Sequence, residues 1–187
     1  MKLNLGCGER PVEGWVNIDR FPGKGVDRVV DVTKVPWAWA ETASVDEVRA
    51  SFLFEHLYNW EEVLMEVARV LKPGGTLNVS VPAGLRAMGV PYEVRMFTKR
   101  SFDLFCTNVR RPTCVPFIYR QPTGIHTLEK KPIYLVFLGM RKMYWRYPFA
   151  WHLQQRYGDR VIYWPLGRVC GLEFLIGRNG RPWRHSE

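Results

Sequence analysis

The stretch LNLGCGERPVEGWVNID, residues 3 to 19, ends one apolar run on Gly6-Cys7-Gly8 and a second on Asp19. Glycines at the carboxyl end of a strand let the backbone approach a ligand closely, because no Cβ stands in the way. A carboxylate at the end of the next strand can accept both hydroxyls of a ribose. Together they point to a nucleoside-containing cofactor, and the spacing narrows which one. A dinucleotide fingerprint needs a third glycine where this chain has Pro11, and its acidic residue about 20 residues further on. Here eleven positions separate Gly8 from Asp19, which leaves room for about one helical turn. A pyrophosphate would then lack the helix N-terminus that usually neutralises it. A P-loop is excluded, because no Gly-Lys-Ser/Thr follows.

Two histidines stand where proton transfer is chemically useful. A neutral imidazole can take a proton from a hydroxyl nucleophile near pH 7. His56 follows Glu55 after an apolar run, and His126 lies in the loop-like segment Thr123-Gly124-Ile125-His126. Both are candidate bases, and for both a supporting or merely solvated role stands as the alternative. His152 in an aromatic stretch and His185 in the tail attract no such role.

The elements that position these groups follow from periodicity. Asp27 to Asp31 reads as a short third strand ending in a second acid, and Asp46 to Phe54 as a fourth. Asn59 or Trp60 opens a helix with Val63, Leu64, Val67, Ala68 and Leu71 at helical spacing. Lys72-Pro73-Gly74-Gly75 ends it, and Thr76 to Val81 forms a fifth strand closed by Pro82. Ala83 to Tyr92 is a Gly/Pro-punctuated loop on the side where open α/β sheets bind ligands. A helix over Lys99 to Cys106 has Thr98 as its N-cap. Thr113 to Arg120 reads as a sixth strand and Leu172 to Arg178 as a seventh. Residues 121–168 form an insertion between them, with one or two amphipathic helices over Ile133 to Gln155.

This run resembles the class I S-adenosylmethionine (SAM) methyltransferases, specifically the type 11 or UbiE-like group. In that family an L-x-L-G-C-G turn, an I-D strand end, a D-[VLI] step, an L/F-E-H-L segment and an L-K-P-G-G turn recur in this order. Leu3 to Gly8, Ile18-Asp19, Asp31-Val32, Phe54 to Leu57 and Leu71 to Gly75 match them one by one. The resemblance covers residues 1 to about 82, with a weaker echo to about 105. It implies an α/β, Rossmann-like sheet of seven strands in the order 3-2-1-4-5-7-6, with helices on both faces. It implies SAM as cofactor. Gly6, Cys7 and Gly8 would lie under its methionine portion, Asp19 and the adjoining Arg20 at its ribose, Asp31 and Val32 at its adenine. Ser51, Phe52 and Glu55 would flank it past strand four. One departure matters: many members begin with a helix that covers the cofactor, whereas this chain starts at the first strand, and the helix after strand one is almost absent. The cover would then come from residues 121–168, from the 83–97 loop or from a second subunit.

Composition bounds the rest. The 187 residues, 47% hydrophobic, suit a single domain over 1–187. No apolar run reaches the roughly 18 to 20 residues that span a bilayer, and no secretion signal precedes the first strand. Cys7, Cys106, Cys114 and Cys170 are scattered, with no zinc spacing, which suits a reducing cytoplasm and no metal. The net charge of +9 is uneven: residues 1–119 hold 15 basic and 14 acidic side chains, residues 120–168 nine and two. That second stretch is also rich in aromatics, from Tyr134 to Trp164. It suits phosphate contact with base stacking, a smaller anionic acceptor, an interfacial helix on anionic lipid, or a local core ringed by long cations. Two nucleic-acid chemistries lack their motifs, since Ser51-Phe52-Leu53-Phe54 replaces both the Asp/Asn-Pro-Pro-aromatic segment and a Pro-Cys nucleophile. The expected activity is methyl transfer to an O or N nucleophile of a small, anionic or glycan-like acceptor. The competing expectation is an inactive SAM-fold binding module, or a nucleic-acid-binding methyltransferase, using 121–168. The sequence carries no signal for oligomeric state.

Overall fold

Each apolar run of the first half becomes a strand of one sheet in the computed structural model, which describes residues 1–82, 91–98, 101–102, 105–106, 135–144 and 169–178. The strands are β1 (Lys2–Leu5), β2 (Val16–Asp19), β3 (Arg28–Val29), β4 (Val45–Ser51), β5 (Leu71–Pro82), β6 (Leu135–Tyr144) and β7 (Val169–Arg178). Their order is β3-β2-β1-β4-β5-β7-β6. The first five run parallel, and β7 pairs antiparallel with both β5 and β6. This is the seven-stranded order that the motifs imply.

One helix, α1 (Trp60–Val70), and a 3₁₀ turn at Phe54–His56 complete the described elements. The register sets Leu3, Val48, Leu77 and Ile176 side by side, and likewise Leu5, Ala50, Val79 and Phe174. All eight are buried, and they join Val63, Leu64, Val67 and Ala68 of α1 in one core. Period 2 in the strands and period 3.6 in the helix bring these two apolar faces together. On the opposite face Asn4, Arg49, Asn78 and Leu175 stand in one row, and no helix covers them among the described residues. The two-sided helical cover is therefore not seen there.

Between β3 and β4 the chain passes without a helix, and a buried ion pair organises it instead. Glu66 accepts the backbone N–H of Trp37 at 2.8 Å, while Arg69 donates to Glu66 at 2.8 Å and to the carbonyls of Trp37 and Ala40 at 3.1 and 2.9 Å. Burial pushes the Glu66 carboxyl up, but the bonds from Arg69 and Trp37 outweigh it and hold the group below its ordinary value. A second knot is aromatic: Trp60, the first residue of α1, meets Phe54, Phe97, Phe102 and Phe105 edge-on at 5.2 to 6.3 Å. It fixes Phe97, Phe102 and Phe105 against the start of α1.

Several boundaries differ from expectation. β3 is shorter than Asp27–Asp31, and β4 stops at Ser51 because Phe52 turns to φ 54°, which no strand continues. Leu71 already pairs with Val45, so Lys72–Gly75 is an irregularity inside β5 rather than a separate turn before it. The sixth strand is Leu135–Tyr144, which corrects both the helix placed over Ile133 to Gln155 and the insertion boundary at 121–168. Leu, Met, Arg and Lys in LVFLGMRKMY favour helix locally, and ladder pairing with β7 overrides that preference. The link between β6 and β7 is thus residues 145–168. The strand expected at Thr113–Arg120 lies outside the described residues, as do 99, 100, 103 and 104 of the helix placed over Lys99 to Cys106. Around that helix, Thr98 N–H donates to Ser101 Oγ at 2.8 Å.

Candidate cofactor site

Strand β1 runs directly into the glycine turn, and backbone bonds hold that turn to the end of β2. Cys7 N–H donates to the carbonyl of Ile18 at 3.0 Å. Gly8 N–H donates to Asp19 Oδ2 at 2.8 Å, and Phe21 N–H to Asp19 Oδ1 at 3.0 Å. Each carboxylate oxygen therefore takes one backbone donor that fixes its direction and keeps further acceptor capacity. Gly6 and Gly8 have φ of 61° and 51°, the left-handed region that glycine enters freely. A Cβ on Gly6 would stand 2.8 Å from Leu53 Cδ1, whereas above Gly8 there is open space.

A cleft of about 890 Å³ opens at this carboxyl edge, lined by Gly6, Asp19, Arg20, Asp31, Val32, Phe52 and His56 together with residues of 57–59 and 91–94. Asp31 Oδ1 accepts both the backbone N–H and the hydroxyl of Thr33, at 3.0 and 2.7 Å. The Thr33 hydroxyl is the main reason that the Asp31 carboxyl lies below its ordinary value, so it stays ionised at neutral pH. Val32 is buried, and its carbonyl accepts the indole N–H of Trp37 at 2.9 Å. Phe52 keeps a strained positive φ because its N–H is fixed to the carbonyl of Ser80 at 2.7 Å, which turns the ring into the cleft. Such strain persists only where the surroundings over-determine it.

His56 lies on the 3₁₀ turn at the other end of the cleft. Its Nδ1 is 2.9 Å from the carbonyl oxygen of Tyr92. A carbonyl only accepts, so Nδ1 carries the proton and Nε2 is the acceptor of the neutral ring.

The remaining expected residues are placed differently. Cys7 is buried, and burial, followed by the Asp19 charge, pushes its thiol up, which makes it unreactive. Ser51 is half-buried in β4 opposite Ser80 and does not line the cleft. Glu55 is 1% exposed and is not among the cleft-lining residues; burial pushes its carboxyl up to about 7, and Oε2 has no partner. Gly8 faces a neighbouring groove of about 780 Å³ that shares Asp19 and Phe21 with the main cleft. His126 lies outside the described residues. Sequence reasoning missed Phe21, Thr33, Tyr58, Asn59, Tyr92 and Val94 as lining residues. The signal for Tyr92 was present, in a Gly/Pro loop on the ligand side. Among the described residues no three His, Cys, Asp or Glu side chains gather as a metal site, and no helix is long and apolar enough to cross a membrane.

Comparisons with known proteins bear on the same region. Residues 17–79 match the type 11 family model described as a methyltransferase domain. None of the curated proteins matches the chain. Among solved structures, one similar chain comes from the complex between the Haloferax volcanii Trm112 methyltransferase activator and a methyltransferase, with 15% identity, 96% of this chain and 82% of that one covered, and TM-score 0.56. A S-adenosylmethionine-dependent methyltransferase from Mesorhizobium loti shares 14% identity over 95% of this chain and 90% of its own, with TM-score 0.50. The Burkholderia thailandensis 1,6-didemethyltoxoflavin-N1-methyltransferase, with 1,6-didemethyltoxoflavin and S-adenosylhomocysteine bound, shares 11% identity over 95% and 70%, with TM-score 0.51. At these identities the likeness to solved structures is one of fold. A methyltransferase-domain model thus matches residues 17–79, and the strand order is the one that the motifs of the type 11 group imply.

Proposed function

We propose that this protein binds SAM in the 890 Å³ cleft and transfers its methyl group to an oxygen or nitrogen nucleophile of a small acceptor. The observation that carries the reading is the Asp19 carboxylate, aimed by Gly8 N–H and Phe21 N–H beside a glycine turn that a side chain would crowd. The residues fit the cofactor: Asp19 would hold the ribose hydroxyls, Asp31 and Val32 the adenine side, and Gly6 the methionine portion. When bound, SAM supplies an electrophilic methyl group on a sulfonium. The protein's task is then alignment and exclusion of water.

Residues 91–94 run along the cleft and supply part of the cover that the short β1–β2 connection lacks. An anionic or glycan-like acceptor rests on the charge of residues 120–168. Their described part is β6, at the sheet edge, with β4, β5 and β7 between it and β1. His56 is the base within the described cleft, and His126 stays a second candidate from the sequence alone. Isothermal titration with S-adenosylhomocysteine tests the reading. Saturable binding that Asp19→Ala weakens strongly is expected, and wild-type protein that binds none would overturn it.

A further inference from the structure

We propose that the acceptor site is the end of the cleft built by residues 56–58 and 91–94, and that it takes a phenolic ring whose hydroxyl gives its proton to His56 Nε2. The inference rests on the methyl-transfer reading and names the acceptor class for that same site.

The first observation is how the two segments are joined. Val94 N–H donates to the carbonyl of Glu55 at 2.9 Å, His56 Nδ1–H to the carbonyl of Tyr92 at 2.9 Å, and Arg95 to the carbonyl of Tyr58 at 3.4 Å. The Arg95 guanidinium also lies over the Trp60 ring, 5.5 Å from its centre. Residues 92–95 are thereby strapped alongside residues 55–58. The strap uses one nitrogen of His56 and leaves the other available.

The second observation is what the strap presents. Tyr58 and Tyr92 are 82% and 79% exposed, Phe52 and Val94 37% and 36%, and all four line the same cleft as His56. A single exposed aromatic on a protein surface is ordinary. Three aromatics and a valine that share a cleft lining with one imidazole give that lining an apolar part with a proton acceptor in it. Flat π-systems gain from offset or edge contact with such rings beyond their buried area. A carboxylate or phosphate acceptor would call for cations, and this end of the cleft offers none as lining; Lys34 and Arg20 line it among the residues beside Asp31 and Asp19.

The chemistry selects among ring acceptors. A phenol at about 10 and an imidazole at about 6.5 differ by a few units, within reach of a general base. A sugar hydroxyl is a far weaker acid, and a neutral amine needs no base before it attacks. A phenol is therefore the acceptor for which this tautomer-locked imidazole matters. In the step, the phenolic oxygen bonds to the methyl carbon while the carbon–sulfur bond breaks and its electron pair stays on sulfur. The phenolic proton passes to His56 Nε2 and from there to water. The imidazolium formed keeps its Nδ1–H bond to Tyr92.

The test uses the full chain with SAM and three probe acceptors: 2-naphthol, 4-nitrophenol and methyl glucoside. We expect 2-naphthol and 4-nitrophenol to be methylated and methyl glucoside not. Tyr58→Ala and Tyr92→Ala should each raise KM for 2-naphthol about fivefold or more, with kcat and S-adenosylhomocysteine affinity changed less than about twofold. His56→Gln should lower kcat for 2-naphthol about a hundredfold. With 4-nitrophenol, which is ionised near neutral pH, the same variant should lose almost nothing, because no proton remains to be taken. Folding losses would strike both phenols alike, so this difference isolates the base. The inference is overturned if S-adenosylhomocysteine binds but neither phenol is bound or methylated. Equal turnover of the glucoside, or equal loss with both phenols in His56→Gln, overturns it too. Failure of S-adenosylhomocysteine to bind would instead remove the underlying reading.

Discussion

The two ends of the cleft are built in opposite ways. At the cofactor end, Gly6 to Gly8 and Asp19 are joined by backbone donors, and every group sits where a strand stops. At the acceptor end, a 3₁₀ turn and a strap distant in sequence are stitched together, and the side chains they offer are mostly aromatic and exposed. On the proposed reading, the first end serves one fixed ligand. Its parts are conformational, so a change of one atom removes it. The second end is a surface, in which each ring contributes a share of contact. This contrast predicts sharp losses at the first end and graded ones at the second.

Asp19→Ala is the most direct way to break the contrast. Losing charge-assisted bonds to two ribose hydroxyls should weaken S-adenosylhomocysteine binding by roughly 2 to 4 kcal/mol, read by calorimetry. The circular dichroism spectrum should be unchanged, because a half-exposed carboxylate at a strand end is outside the core. An unaltered dissociation constant in a folded variant would move the ribose site elsewhere.

Glu55 sharpens the comparison, since it is the buried partner of the exposed acceptor end. Burial raises its carboxyl from the ordinary 4.5 to about 7; its own backbone N–H and then His56 oppose this more weakly, and the carboxylate of Glu93 on the strap adds the smallest upward push. The folded protein therefore holds a proton that the unfolded chain releases above about 4.5. The stabilisation is fully present below that pH and is lost as pH rises through 7, by up to roughly 3 kcal/mol. Glu55→Gln should abolish this slope, so that its gain over wild type in urea unfolding is larger at pH 8 than at pH 5. Parallel curves for the two proteins would mean that Glu55 is ionised in the fold.

Gly6→Ala comes next in size. A left-handed φ costs an L-residue about 1 to 2 kcal/mol, and the new methyl would press Leu53, which itself lines the cleft. Lower thermal stability together with weaker cofactor binding is expected, whereas Gly14→Ala, also at positive φ but with open space around it, should affect stability alone.

The same contrast explains what was legible beforehand. The glycine turn, Asp19, Asp31 and the α1 pattern were readable because each needs a particular residue type at a particular place. Strand order followed from the motifs they belong to. Leu135–Tyr144 was misread because its residue types favour helix and only the ladder with β7 makes it a strand. Tyr58 escaped notice, and Tyr92 was legible only as the end of a ligand-side loop, because nothing local says that residues 92–95 return to lie against 55–58. Glu55 looked like a ligand contact, and only three-dimensional burial shows that its carboxylate faces the interior.

One residue joins the two ends, and it yields the smallest effect. Asn59 was expected to open α1, and it does occupy the N-cap position, yet its side chain makes no capping bond. Its Nδ2 donates instead to the carbonyl of Thr33 at 3.0 Å, on the loop that carries Asp31, and to Glu62 Oε2 at 3.0 Å. The turn holding His56 and Tyr58 is thus tied to the Asp31 side of the cleft by one amide. Asn59→Ala removes about 1 kcal/mol of stability and frees the 31–34 loop from α1. Affinity for S-adenosylhomocysteine should fall about two- to threefold, while KM for the acceptor stays within error, because the strap bonds of Tyr92 and Val94 do not pass through Asn59. Asn59→Ala combined with Tyr92→Ala should then be additive in both measurements, as expected for sites without a shared partner. A coupling energy above about 0.5 kcal/mol in that double-mutant cycle would show that the fixed end and the adaptable end move as one unit.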